Sequence, residues 1–146
     1  MQTFLPYEDY DRCAQVLDNK RLGKQRVENL QILKALTMPS YGWQNHPAVK
    51  MWKDHVIELL GYQTAICKEW VEVRGFKDTC MEKSLDIVFA NSFDYSADND
   101  GPPSWMGIAE IHRSHRSNLL RKDPVFYTPV FEDGLPDDLP YVWPVQ

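Results

Sequence analysis

The chain has 146 residues and a net charge of -5, which is enough for one domain with a single sizeable core. Hydrophobic residues at 43% and charged residues at 25% are ordinary globular proportions and exclude a disordered chain. No apolar run approaches the ~20 residues of a bilayer span, and the opening MQTFLPYEDYD lacks the basic-then-apolar pattern of a secretory signal. A single cytoplasmic domain over residues 1–146, without membrane contact, is expected.

In chain order, Asp9 or Asp11 caps a short helix through Val16 and Leu17, and Asp18 with Asn19 marks a break or a second cap. A longer helix follows to about Thr37. Met38, Pro39, Ser40, Tyr41 and Gly42 end it, because proline cannot continue the hydrogen-bond ladder. Asn45 or His46 then caps, and Pro47 opens, what the pattern gives as one long helix closed by Gly75. Val49, Trp52, Val56, Leu59, Leu60, Ile66 and Trp70 mostly recur at spacings of three and four, so one face is core. Gly61 inside this run marks close approach by another helix. Beyond Phe76 the pattern weakens. Leu85 to Ala90 fits helix or strand, and SFDYSADNDGPPS reads as an acidic surface loop. Trp105 and Met106 lead into a helix over residues 108–121, stopped before Pro124. The tail carries five prolines among aromatics and is expected to wrap over the helices as extended chain and tight turns. The fold class is therefore all-α: a compact single domain of three main helices with an extended, Pro- and aromatic-rich C-terminal tail. Cys13, Cys67 and Cys80 form no CxxC pair and read as three buried thiols.

Charge is unevenly distributed. Residues 20–34 carry Lys20, Arg21, Lys24, Arg26 and Lys34 with Glu28 as the only acid, and residues 112–122 carry Arg113, Arg116, Arg121 and Lys122 with none. Packed side by side, the two segments make one positive face for a polyanion; the plain alternative is two solvated helix faces. On a helical wheel Leu22, Arg26, Leu30, Leu33 and Leu36 share one arc, and Arg21, Lys24, Gln25, Glu28 and Gln31 the opposite one. Glu28 is one turn from Lys24, a spacing that also suits an ordinary surface ion pair. Arg26, within the apolar arc, must either snorkel out or pair with a buried acceptor.

His112 and His115 share a helix face, but no third ligand has recognisable spacing, so a basic recognition face is expected there and no metal. Ser114, Ser117 and Asn118 are suitable donors to phosphates or base edges on the same helix. Phe126, Tyr127 and Phe131 offer flat surfaces for stacking on bases, or close the core. Trp43 and His46 stand at the start of the long helix, where amides can hold a phosphate, and His46 also reads as an ordinary cap. No Gly-rich phosphate loop, nucleophile elbow or paired-carboxylate motif is present, and no cofactor is expected.

The segments LDNKRLGKQRVENL, NHPAVKMWKDH through VRGF, and AEIHRSHRSNLLRKDPVFYTPVF resemble, in this order, the small all-helical pyrimidine-dimer DNA glycosylases with AP-lyase activity known as phage endonuclease V. The likeness is greater still to bacterial and phage proteins that share RLGKQRVE, NHPAVKMW and HRSHRSNLLRKDP. The resemblance implies that Glu28 is the catalytic carboxylate of a reaction in which an amine attacks the sugar C1′, expels the base and forms an imine. Arg21 and Lys24 would hold flanking phosphates, and Arg26 would join them or brace the helix. His46, His112, Arg113, His115, Arg116, Arg121, Lys122 and Tyr127 complete the expected nucleic-acid surface. The family's nucleophile is the α-amine of residue 2, freed by removal of the initiator; Gln2 is too large for efficient removal. The role then falls to the Met1 α-amine, one residue further out, or to Lys20 or Lys24 with a lowered pKa. The implied function is a glycosylase/AP lyase acting on damaged or modified pyrimidine nucleotides of DNA. The alternatives are a non-catalytic nucleotide- or nucleic-acid-binding module, acting as a regulator or nucleotide sponge, and an enzyme that modifies a base without cleaving the sugar bond.

Overall fold

The structure, a computed structural model, describes residues 1–90 and 101–144. The expected acidic loop falls largely on residues 91–100, outside the described residues. Among the described residues the elements are helices α1 (Tyr10–Val16), α2 (Asn19–Thr37), α3 (Pro47–Lys50), α4 (Val56–Lys68), α5 (Cys80–Ala90), α6 (Ala109–Lys122) and α7 (Pro124–Tyr127), with a π turn at Glu69–Val73 after α4. No strand occurs among them. The all-α expectation holds.

Local chemistry sets several of these boundaries. The Asp9 carboxylate accepts from the amides of Asp11 and Arg12 and starts α1, while Asp78 does the same for Cys80 and Met81 at the head of α5. That cap makes Leu85 to Ala90 helix. The helix expected over residues 108–121 is α6, Ala109–Lys122. Asp123 closes it and caps α7 through the Phe126 amide.

The single long helix expected from His46 to Gly75 is instead two helices and a π turn. Asp54 takes φ 64 in the left-handed region, which ends the first piece. The resulting turn seats Met51 and Trp52 side by side in the interior. Trp52 stacks on Tyr62 and meets Trp105 edge-on; α4 then restarts its own inward face with Val56, Leu59 and Tyr62.

α2 is the central helix and packs on α4 and α5, while α1 packs on α4. The close approach expected at Gly61 is an ordinary contact: a Cβ there would stand 3.9 Å from the Tyr10 ring. The tight approach is at Gly23 on α2, where a Cβ would lie 2.9 Å from the Trp70 ring. The three cysteines are free and buried.

The N-terminal segment is held like a strand without a sheet. Gln25 of α2 accepts from the Phe4 amide at 2.9 Å and donates to the Gln2 carbonyl at 2.9 Å. Tyr62 of α4 donates to the Phe4 carbonyl. His115 Nδ1 of α6 accepts from the Leu5 amide at 2.8 Å, and His112 Nδ1 lies 2.8 Å from the Leu5 carbonyl. This segment thereby ties α6 to α2 and α4 and fixes where the chain begins.

Candidate nucleic-acid site

Beside that segment lies a cavity of about 310 Å³. Its walls are Gln2 and Phe4 from the start of the chain, Lys20, Arg21, Lys24, Gln25 and Glu28 from α2, Lys122 from the end of α6, and Tyr141 from the tail. Consecutive turns of α2 bring the first set together, because positions 21, 24, 25 and 28 share one face. Lys122 arrives through the tail. Tyr127 donates to Asp18 Oδ1 and accepts from the Asp18 amide, locking the start of α2 onto α7, and Arg21 bonds Asp18 at 3.2 Å and approaches Asp123 at 4.0 Å.

Glu28 is 8% exposed although it lies on the polar arc of its helix. Lys24 Nζ stands 3.7 Å from Glu28 Oε1 while remaining 69% exposed itself. The cavity thus presents one sequestered carboxylate among four cations, Lys20, Arg21, Lys24 and Lys122. Lys122 is held below the ordinary lysine range, first by burial and then by Arg21, Lys24 and Arg121, with Glu28 opposing. A lysine in such surroundings keeps more of its neutral amine at neutral pH. His46 is likewise lowered, by burial and by the α-amine of Met1, with Glu28 opposing. Those influences place His46 and the chain's own amine at the margin of the same site. The Tyr141 hydroxyl is buried and makes no hydrogen bond of normal geometry.

Other candidates are occupied elsewhere. Arg26 lies under the Trp70 ring, 4.4 Å from its centroid, and forms a short hydrogen bond and ion pair with Asp78. It braces α2 against α5 and does not line the cavity. His112 and His115 are interior, at 5% and 1% exposure. Besides holding Leu5, His112 accepts from the Gly107 amide at its Nε2, so its Nδ1 carries the proton; His115, accepting at Nδ1, carries its proton on Nε2. Burial lowers both from the ordinary value, His115 to about 3 with His112 adding to the effect. The surface recognition face expected at this pair is therefore an interior clamp. Arg116 donates to the Pro6 carbonyl and grips Glu132 with two nitrogens. Arg121 donates to the Asp137 carbonyl and to Asn118. Arg113 lies beside Glu110 and Val142, away from the cavity. Tyr127 is fully buried and stacked on Phe131, so it closes the core. Among the described residues no group of three or more His, Cys, Asp or Glu side chains converges as a metal site.

Sequence reasoning missed Gln2, Phe4, Gln25 and Tyr141 as walls of the cavity. Gln25 carried the one readable signal, since it stands on the same helical arc as Glu28.

A small all-helical domain with a carboxylate sequestered in a cationic cavity is the class that fold and site define. The chain belongs to the pyrimidine dimer DNA glycosylase family, whose model matches residues 1–84. The matched stretch contains all of α1 to α4, including Glu28 and the α2 cations. Neither a curated protein nor a solved structure matches the chain.

Proposed function

We propose that the protein is a DNA glycosylase with AP-lyase chemistry, acting on damaged or modified pyrimidine nucleotides, with Glu28 as its catalytic carboxylate. The observation that carries the reading is the placement of this one buried acid in a cavity walled by Lys20, Arg21, Lys24 and Lys122 and by the start of the chain. Arg21, Lys24 and Lys122 suit phosphates on either side of the target nucleotide. Glu28 suits the sugar: an anion beside C1′ stabilises positive charge as the bond to the base breaks, and it can relay the protons of imine formation. An amine forms the new bond to C1′; the base leaves with the electron pair of the old bond and takes up a proton. Ring opening then breaks the C1′–O4′ bond as the nitrogen lone pair forms the C=N bond, with the amine's proton passing to O4′. The imine acidifies C2′, and loss of a C2′ proton drives the β-elimination that expels the 3′ phosphate. The attacking amine is either the Met1 α-amine or a lysine of the cavity.

Borohydride reduction during turnover on a duplex containing an abasic site is the direct test. The expected result is a covalent adduct whose peptide map identifies the amine, and a Glu28→Gln variant that still binds but turns over about 10²–10⁴-fold more slowly. Binding without adduct and without nicking would reject the imine route. One observation favours a second reading, a non-catalytic nucleotide-binding module: Gln2, and not Met1, lines the cavity. That reading expects mononucleotides to bind without turnover and Glu28→Gln to leave affinity unchanged.

A further inference from the structure

We propose that Trp43, with His46 and Trp143 behind it, forms a stacking site for an unpaired nucleobase outside the Glu28 cavity, joined to the cavity wall through Trp143 and Tyr141. The inference rests on the DNA-binding reading above and adds a second point of contact to it.

Trp43 is 63% exposed and takes φ 71. For a bulky L-residue the left-handed region is a genuine outlier, and strain of this kind collects where a side chain has a task outside the fold. Burial gives no compensation here, because most of the indole is in water. Its ring meets His46 edge-on at 6.0 Å, His46 meets Trp143 edge-on at 6.2 Å, and Trp143 lies 5.8 Å from Tyr141. Tyr141 is a wall of the cavity. A continuous relay of rings therefore runs from the cavity to solvent, and the edge-on contact of Trp43 with His46 leaves an indole face uncovered.

His46 is fixed in this relay by accepting from the Ala48 amide at 3.0 Å. The Met1 amine and Glu28 act electrostatically on His46, the middle ring of the relay. The occupant follows from continuity. A ligand reaching from the cationic cavity to the indole must be anionic at one end and flat at the other, as a nucleotide is. A base still stacked within a duplex has no free face, so the platform fits a base that has lost its partner or left the helix.

Two duplexes decide the matter, one fully paired and one with an abasic site that lacks the C1′ hydroxyl, so that no imine forms and no nick follows, and whose opposite base is unpaired. Affinity is measured for the wild-type protein, Trp43→Asn and Trp43→Phe across a salt series. Asn tolerates the left-handed conformation, so Trp43→Asn is expected to melt no lower than wild type, which excludes unfolding as the cause of any loss. It is expected to bind the abasic duplex about tenfold more weakly and the paired duplex unchanged, with Trp43→Phe recovering most of the loss. The slope of log K against log salt stays the same, because no phosphate contact is removed. Equal affinity of Trp43→Asn and wild type for the abasic duplex overturns the platform alone. A loss equal on both duplexes, or one accompanied by a shallower salt slope, also overturns it, since Trp43 would then be touching backbone. Failure of the wild-type protein to bind either duplex overturns the platform and the DNA-acting reading together.

Discussion

The first half of α2 and the whole of α6 look alike as sequence, both basic and poor in acids, yet the structure uses them differently. On α2 the cations Lys20, Arg21 and Lys24 stand around the cavity with Glu28. On α6 most of the polar side chains are taken up by the fold: His112 and His115 hold Leu5, Arg116 holds Pro6 and Glu132, and Arg121 holds the tail. Only its last residue, Lys122, reaches the cavity. The difference lies in the neighbours. α6 lies against irregular chain whose amides and carbonyls need partners and spends its histidines and arginines on them, whereas on the cavity-facing arc of α2 the neutral Gln25 supplies the bonds to Gln2 and Phe4. A basic helix is a binding surface only where the backbone beside it is already satisfied.

Arg26 is the exception on α2, and breaking its pair tests the comparison most severely. The side chains of Arg26 and Asp78 are 14% and 4% exposed. Asp78→Asn retains an acceptor for the α5 amides but removes the charge, leaving a buried guanidinium unpaired. The expected loss is about 3–5 kcal/mol by urea denaturation. A loss below about 1 kcal/mol would show that Arg26 snorkels to water and is free for a phosphate after all.

The α6 clamp has a pH signature. His115 titrates near 3 when folded and near the ordinary 6.5 when unfolded. A folded-state value below the unfolded one means that stability is complete above pH 6.5 and declines as the pH falls toward the folded value. At pH 4.5 this histidine alone removes about 2–3 kcal/mol. Burial moves His112 in the same direction. Asp78 and Glu132 are held low, burial opposing and hydrogen bonds and arginine partners prevailing, so their contribution is lost only below the ordinary carboxylate range. The interval between pH 6.5 and 4.5 therefore reads the lowered histidines, His115 and His112 of the clamp together with His46. His115→Asn, which keeps an acceptor for the Leu5 amide, should flatten the decline; an unchanged profile would place the histidines in contact with water.

These contrasts show how much the sequence could carry. The short first helix, the extent of α2 and the stop of α6 were legible because caps, glycine and proline act locally. The need of Arg26 for a buried partner was legible from its arc, but the partner was not, since Asp78 lies 52 positions away. The break at Asp54 was invisible because it follows from seating Trp52 against Tyr62 and Trp105, a tertiary demand. Polarity misled at His112 and His115, where it signalled satisfaction of a buried backbone and not exposure. Of the cavity, Glu28 and its α2 cations stood out as an odd charge pattern; Gln25 and Tyr141 did not, because a glutamine bonded to distant backbone and a tyrosine in an irregular tail leave no periodic trace.

Gly23 sharpens the same comparison from the packing side. A methyl group there would meet the Trp70 ring at 2.9 Å, and the ring is not free to yield: its Nε1 donates to the Lys77 carbonyl and its face is packed by Phe76 and Arg26. Gly23→Ala gains about 1 kcal/mol of helix propensity but should still destabilise the protein by about 1–2 kcal/mol net, read as a lowered urea midpoint. Stabilisation would mean that Trp70 moves readily and that α2 is not pinned in register at the cavity.

The smallest expected effect separates two cations on α6 itself. Lys122 lines the cavity, whereas Arg113 lies beside Glu110 and Val142. If only the cavity engages phosphate, Lys122→Ala reduces the magnitude of the log K against log salt slope for an abasic duplex by about 0.9, and Arg113→Ala leaves the slope unchanged. The slope is the decisive readout, because removing either cation alters net charge equally and shifts long-range attraction alike; only loss of a phosphate contact alters the number of counterions released. Slopes reduced equally in the two variants would extend the binding surface along the whole helix and dissolve the distinction between α2 and α6; slopes equal to wild type in both would remove Lys122 from the phosphate site.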